Sequence, residues 1–222
     1  MKKIAKLNTS KISPSRRKKA TQKEPDFGTY HHTTCDDSQM IRGVAKSMFE
    51  KAFASLPFGR NDELKILDVG CGLGFLSCIT AEFYTKGRIT GFDTFEDDSL
   101  RASSIEKARE NTRVLGLSDR IEFEKGDVFT YTPEESFDIF ISNLVYHNFG
   151  GRRFKAYSRL ASWARPGSSV LMGDLFLSPK IDLARLSREF TILKEIKPET
   201  GFEIFTLLVM SKKDHRKTIM SR

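Results

Sequence analysis

One short stretch carries most of the chemistry in this sequence: Asp68-Val-Gly70-Cys71-Gly72-Leu-Gly74. It falls between a run that reads as a buried strand, KILDVG at 65–70, and apolar positions Phe75, Leu76, Ile79 and Phe83, which suit a helix. Glycines at such a junction permit a tight turn and let a ligand approach the backbone at the helix N-terminus. Asp93 follows 19 residues after Gly74, at the end of a second strand, RITGFD. A carboxylate there can accept both hydroxyls of a ribose, so the pair points to nucleoside binding. The spacing differs from G-x-G-x-x-G, because the third glycine is Gly74 and position 75 is Phe, which weakens the case for a pyrophosphate cradle. Cys71 reads as a small residue filling the turn, without thiol chemistry.

The elements that must hold these residues alternate. Residues 99–115 place Ala102, Ile105, Ala108, Thr112 and Leu115 on one helical face, with Gly116 available as a cap. IEFEKGD (121–127) and FDIFISN (137–143) read as the third and fourth strands, and a helix spans about 151–164. SSVLMGDL (168–175) is a fifth strand and 181–188 a short helix. TILKEIK (191–197) and FEIFTLLVM (202–210) are joined by a tight Glu-Thr-Gly turn, so the last strand runs antiparallel. Strand–helix alternation predicts an α/β fold with a parallel sheet covered on both faces. Ahead of it, Met40, Val44, Met48, Ala52 and Leu56 recur every fourth position, an amphipathic helix within 37–56 that Pro57 and Gly59 end.

ILDVGCGLGFLS, GFD, ARENTRVLGLSDRIEFEKGD, FDIFISNLVYHNF and WARPGSSVLMGDL together resemble the successive motifs of class I S-adenosylmethionine-dependent methyltransferases, over residues 65–212. The resemblance implies a Rossmann-like, doubly wound sheet of seven strands in the order 3-2-1-4-5-7-6, with strand 7 antiparallel. It also implies S-adenosylmethionine as cofactor, with S-adenosylhomocysteine as product. Carried over by motif position, Asp68 and Gly70, Cys71, Gly72 and Gly74 line the methionine portion. Asp93 holds the ribose, with Phe92 and Thr94 nearby. Asp127 accepts from the adenine amino group while Val128 packs on the ring, and Asn143 and Leu144 flank the sulfonium. One departure is Gly167-Ser168-Ser169 after Pro166, where a second glycine is common; that position shapes a turn.

The acceptor end is read from Asn143-Leu-Val-Tyr146-His147. It shares an outline with the Asn-Pro-Pro-Tyr signature of amine-methylating enzymes but lacks both prolines. It more closely resembles the Leu-His-His-type segment of small-molecule methyltransferases such as those of quinone biosynthesis. His147, Asn143 and Tyr146 are therefore the expected catalytic residues, His147 as base or substrate hydrogen-bonder. Tyr30, His31 and His32, just ahead of the amphipathic helix, are expected to form a lid or touch the substrate. Adjacent histidines point apart on most backbones, so no metal site is expected.

Composition bounds the rest. The 222 residues carry a net charge of +8, but residues 1–25 contribute +8, residues 211–222 contribute +4, and residues 26–210 contribute −4. The expected organisation is a flexible basic tail (1–25), a methyltransferase domain (26–212, with 26–60 as an N-terminal lid and helix), and a basic C-terminal tail (213–222). The N-terminal tail also has the composition of an organelle transit peptide. Three cysteines without a Cys-x-x-Cys pair, and the lack of an 18-residue apolar run, predict a cytoplasmic protein without a membrane span. A small-molecule acceptor is the leading expectation; the oligomeric state is not legible. The alternatives are an RNA or protein methyltransferase that docks through its basic tails, and a noncatalytic or dinucleotide-binding Rossmann protein.

Overall fold

A computed structural model describes residues 23–96, 99–199 and 204–214. Most of both basic tails, and Thr200 and Gly201 of the expected turn, lie outside the described residues. In chain order the elements are α1 (Cys35–Phe53), β1 (Lys65–Val69), α2 (Phe75–Phe83), β2 (Arg88–Asp93), α3 (Ile105–Val114), β3 (Ile121–Lys125) and β4 (Ile139–Asn143). A 3-10 turn (Tyr146–Arg152), α4 (Arg153–Trp163), β5 (Ser169–Leu175), α5 (Pro179–Glu189), β6 (Phe190–Ile196) and β7 (Phe205–Lys212) follow.

The seven strands form one sheet in the order β3-β2-β1-β4-β5-β7-β6, as the sequence motifs imply. Strands β1 to β5 pair in parallel, and β7 runs antiparallel to both β5 and β6. Because side chains alternate across a strand, consecutive residues of β1 feed opposite cores. Ile66 joins Phe49, Phe53, Tyr84 and Ile139 on one face, whereas Leu67 joins Phe140, Leu160 and Met210 on the other. The chain leaves β1 toward β2 and β3, then returns to the other side of β1 to lay down β4 and β5. The crevice at that reversal, outside the carboxyl ends of β1 and β4, is where open α/β sheets take ligands. Asp68, Asp93, Asn143 and Asp174 all sit at or one residue before these strand ends.

Two helices differ from the sequence expectation. The first begins at Cys35, because Thr34 and Asp37 form a reciprocal capping box. The third begins at Ile105 rather than near 99, where Ser104 Oγ accepts from the Lys107 N–H. Residues 99–101 instead meet the N-terminal segment: Leu100 bridges Tyr30, and the His31 N–H donates to the Ser99 carbonyl.

Candidate active site

The glycine turn is built by backbone geometry. Gly70 has φ +72°, and a Cβ there would sit 2.5 Å from Val145 Cγ2. Gly74, at φ +81°, is the cap residue of α2, and a Cβ on it would meet the Phe123 ring at 2.7 Å. Neither position has room for a side chain, and both take a conformation that only glycine adopts cheaply. The Gly70 and Cys71 N–H groups donate to the Phe92 carbonyl, tying the turn to β2.

Asp68 is 1% exposed beneath this turn, where Ser77 Oγ donates to its Oδ2 at 2.6 Å. Its Oδ1 is buried without a partner. Burial pushes this carboxyl up to about 7, with the Ser77 hydroxyl pulling it down and the Asp93 charge adding to the rise. Burial, together with the charges of Asp68 and Asp93, also holds the Cys71 thiol well above its usual range. Cys71 is therefore a protonated filler, as its place in the turn suggests.

Asp93 does more than the sequence shows. Its Oδ2 accepts from the Gly72 N–H at 3.0 Å and its Oδ1 from the Phe95 N–H at 2.8 Å, so it braces the glycine turn from the neighbouring strand. Asp127, exposed at the rim, accepts from the Phe129 N–H through Oδ1, and Val128 is buried beside it. Thr94 and Phe92 line the same wall.

At the end of β4, Leu144 takes φ +59° and its N–H donates to the Gly173 carbonyl. Asn143 Oδ1 is buried without a partner. His147 Nδ1 lies 2.6 Å from Asp174 Oδ1, with side-chain exposures of 16% and 2%. Asp174 also accepts from the Leu175 N–H through Oδ1 and from the Tyr146 N–H through Oδ2. The sequence reading missed Asp174, which appears there only as one polar residue in an apolar strand; its partner is 27 residues away. Tyr146 corrects the catalytic expectation. Its side chain is 1% exposed and packs on Tyr157 and Phe149, away from the cavity lining. Burial and the nearby Asp174 charge keep its phenol well above its usual range. Only its backbone N–H serves the site.

The segment from Asp26 to Thr33 straps across this crevice. Asn111 accepts from the Asp26 N–H and donates to the carbonyls of Asp26 and Leu73. Ser38 Oγ accepts from the Tyr30 N–H, and the Arg42 guanidinium lies 4.6 Å from the Tyr30 ring centre. A single cavity of about 540 Å³ results, lined by Tyr30, His31, His32, Asp68, Asp93, Asp127, Asn143 and His147 together with the glycine turn. Every expected site residue except Gly74 and Tyr146 lines it. Among the described residues, no cluster of His, Cys, Asp or Glu could hold a metal ion.

The cavity fits a nucleoside with a charged amino-acid end: an unpartnered carboxylate oxygen at Asp68, a bracing carboxylate at Asp93, and an apolar wall at Val128. Comparison with known proteins agrees. A family model described as a methyltransferase domain matches residues 60–219. Phosphoethanolamine N-methyltransferase 1 of Arabidopsis thaliana is 33% identical over 126 residues, 55% of this chain and 23% of that protein. A tRNA1(Val) (adenine(37)-N6)-methyltransferase of Vibrio campbellii is 34% identical over 86 residues, 39% of this chain and 34% of that one. The chain thus spans about a quarter to a third of the length of these relatives. Human N-acetylserotonin methyltransferase, solved in complex with SAM, superposes with a TM-score of 0.59 at 18% identity, over 79% of this chain and 54% of that one. The chain belongs to the methyltransferase-domain family, as a class I member whose cofactor is S-adenosylmethionine.

Proposed function

We propose that this protein transfers the methyl group of S-adenosylmethionine by in-line displacement to a hydroxyl of a small-molecule acceptor. The observation that carries this reading is the His147–Asp174 pair, 2.6 Å apart at the wall of the cavity. Asp174 is already held by two backbone N–H donors, so its carboxylate is fixed as an acceptor. It accepts the hydrogen bond from His147 Nδ1–H and leaves Nε2 as the basic nitrogen. A base with an orienting partner suits a hydroxyl, which must lose its proton as it attacks; a neutral amine needs no such help.

The cofactor supplies a methyl group already activated on a sulfonium, so the chain's task is alignment and exclusion of water. Asp68 and the turn through Gly74 would hold the methionine portion, Asp93 the ribose, and Asp127 with Val128 the adenine. Asn143 and Leu144 would flank the sulfonium. His147 would take the acceptor's proton onto Nε2, and Tyr30, His31 and His32 would close the opposite side.

A panel of phenols, aliphatic alcohols and amines, assayed with methyl-labelled cofactor, tests this. Transfer to a hydroxyl compound should fall about 10²-fold or more in His147→Ala, the usual yield of general-base catalysis. Affinity for S-adenosylhomocysteine should stay within about threefold, since His147 faces the acceptor. Methylation confined to amines, or a His147→Ala rate equal to wild type, would overturn the assignment.

A further inference from the structure

With the cofactor's share of the cavity set aside, the part left for an acceptor has one sign of charge. The acidic residues of the lining are Asp68, Asp93 and Asp127, and the cofactor assignment uses all three. Its cations are Arg42 and Arg152. Arg42 is occupied, because its Nη2 donates to the Phe27 and Gly28 carbonyls of the strap. The Arg152 guanidinium has no hydrogen-bond or ionic partner among the described residues and lies 4.8 Å from the centre of the Phe129 ring. Arg152 ends the same 3-10 turn that carries His147, and His31 and His32 of the strap line the same cavity.

The fold itself gains nothing from a cation at this place. Arg152 is the cap residue of α4, with Arg153 following it and no acidic residue in the first turn. Positive charge at a helix N-terminus opposes the helix dipole, so α4 is weaker for carrying it. Arg153 is neutralised by Asp182 at 2.7 Å. Arg152 has no such partner and shares the Phe129 ring with Lys155, whose Nζ lies 5.8 Å from the ring centre. Phe129 packs edge-on against Phe149 with centroids 5.1 Å apart, and both rings line the cavity. The positive charge continues outside. Between Ile139 and Arg188 the chain carries eight lysines and arginines, and its only acidic residues there, Asp174 and Asp182, are both buried.

We infer that the acceptor is an anion, a hydroxy compound whose carboxylate or phosphate group is bound by Arg152 while Phe129 and Phe149 cover its apolar body. This rests on the reading that the cavity takes the acceptor beside His147. A planar guanidinium fork pairs with either anionic group through two hydrogen bonds, which a lysine ammonium cannot match. The pair stands at an exposed arginine, so salt screens it. The unpaired cations of α4 and α5 add a field that draws anions toward the cavity. Arg152 selects the acceptor by charge, and the proton of the reacting hydroxyl still goes to His147.

The test uses fragments that carry an aromatic ring with or without the charge. The full chain, saturated with S-adenosylhomocysteine so that the cofactor's own subsites are filled, is titrated with benzoate, phenyl phosphate and neutral benzamide by ligand-observed NMR. Wild type should bind one of the anions at least about fivefold more tightly than benzamide, as a charge-assisted pair gives, and the tighter anion names the group. Arg152→Gln should bring that ratio within about twofold, and Arg152→Lys should keep part of it. Lys107→Gln, the same charge change on α3 outside the cavity lining, should leave the ratio unchanged. Raising the salt from about 0.05 to 0.5 M should weaken the anion and leave benzamide alone. Equal affinities for benzamide and both anions, no anion binding up to about 20 mM, or a preference that survives Arg152→Gln would each overturn the inference. Methyl transfer confined to amines would overturn the hydroxyl reading and leave the anion preference standing, so the two failures are distinguishable.

Discussion

At the scale of single residues, the acidic positions named from sequence turn out to have unequal tasks. Asp127 stands exposed at the rim, Asp93 braces the turn, and Asp68 is buried with an oxygen to spare. The last condition has a consequence for pH. Burial raises the Asp68 carboxyl from 3.8 to about 7, so the ligand-free folded chain holds a proton there that the unfolded chain releases. From this group alone, stability is greatest below the ordinary carboxylate range and falls as pH climbs toward 7. Ligand binding has the opposite sign, because an ammonium group requires the ionised carboxylate. Affinity for S-adenosylhomocysteine should therefore drop as pH falls below about 7, approaching tenfold per unit, and binding should release a proton to the buffer at low pH and progressively less of one as pH rises. Titration calorimetry at pH 5.5 to 8 checks this, and Asp68→Asn should flatten the profile while lowering the affinity at high pH. Asp174 supplies a second outcome at this scale. Asp174→Asn keeps the shape but offers His147 a group that no longer enforces one tautomer, so turnover should fall with cofactor affinity preserved, as in His147→Ala.

At the scale of elements, the strap is the least predictable part of the site. Its composition up to Thr33 carries no period, and what orders it comes from distant chain. Asn111, on α3, makes three hydrogen bonds to the backbones of Asp26 and Leu73, and is 3% exposed. Asn111→Ala would remove all three bonds and strand the Leu73 carbonyl, the buried one of the three, a loss costing about 1–3 kcal/mol when no water replaces the partner. The strap should then become the first site of cleavage in limited proteolysis. S-adenosylhomocysteine should protect it in wild type more than in the variant. The short third helix has the same origin. The apolar spacing from Ala102 onward is compatible with helix, but residues 99–101 hydrogen-bond to the strap, and Ser104 starts the helix behind them. Tertiary pairing outweighed a local propensity worth only tenths of a kcal/mol per residue.

At the scale of the molecule, the net charge of +8 describes the ends of the chain. Residues 1–22 contain eight lysines and arginines and no acid, so removing them brings the chain to neutrality. Among the described residues the lining of the cavity begins at Phe27. A chain beginning at Lys23 should bind S-adenosylhomocysteine within about twofold of the full chain, whereas any affinity for polyanions should decline along with its salt dependence. A large loss of cofactor affinity on truncation would mean that the basic segment takes part in the site. No helix among the described residues is long and apolar enough to cross a membrane.

The sequence by itself determined the sheet and the positions of the residues expected to hold the cofactor, because both rest on local signals. Apolar runs set the strands, the glycine turn between β1 and α2 tolerates no side chain at Gly70 or Gly74, and Asp68 and Asp93 fall at strand ends by counting along the chain. Only the tertiary structure decided what joins these parts. Asp174 meets His147 because β4 and β5 lie side by side; Tyr146 turns into the core because the 3-10 turn after β4 points it there; and Arg42 reaches the cavity from α1, a helix far from the glycine turn in the chain. Each of these contacts joins residues from different elements or depends on the direction a turn gives a side chain. Neither quantity is carried by spacing alone.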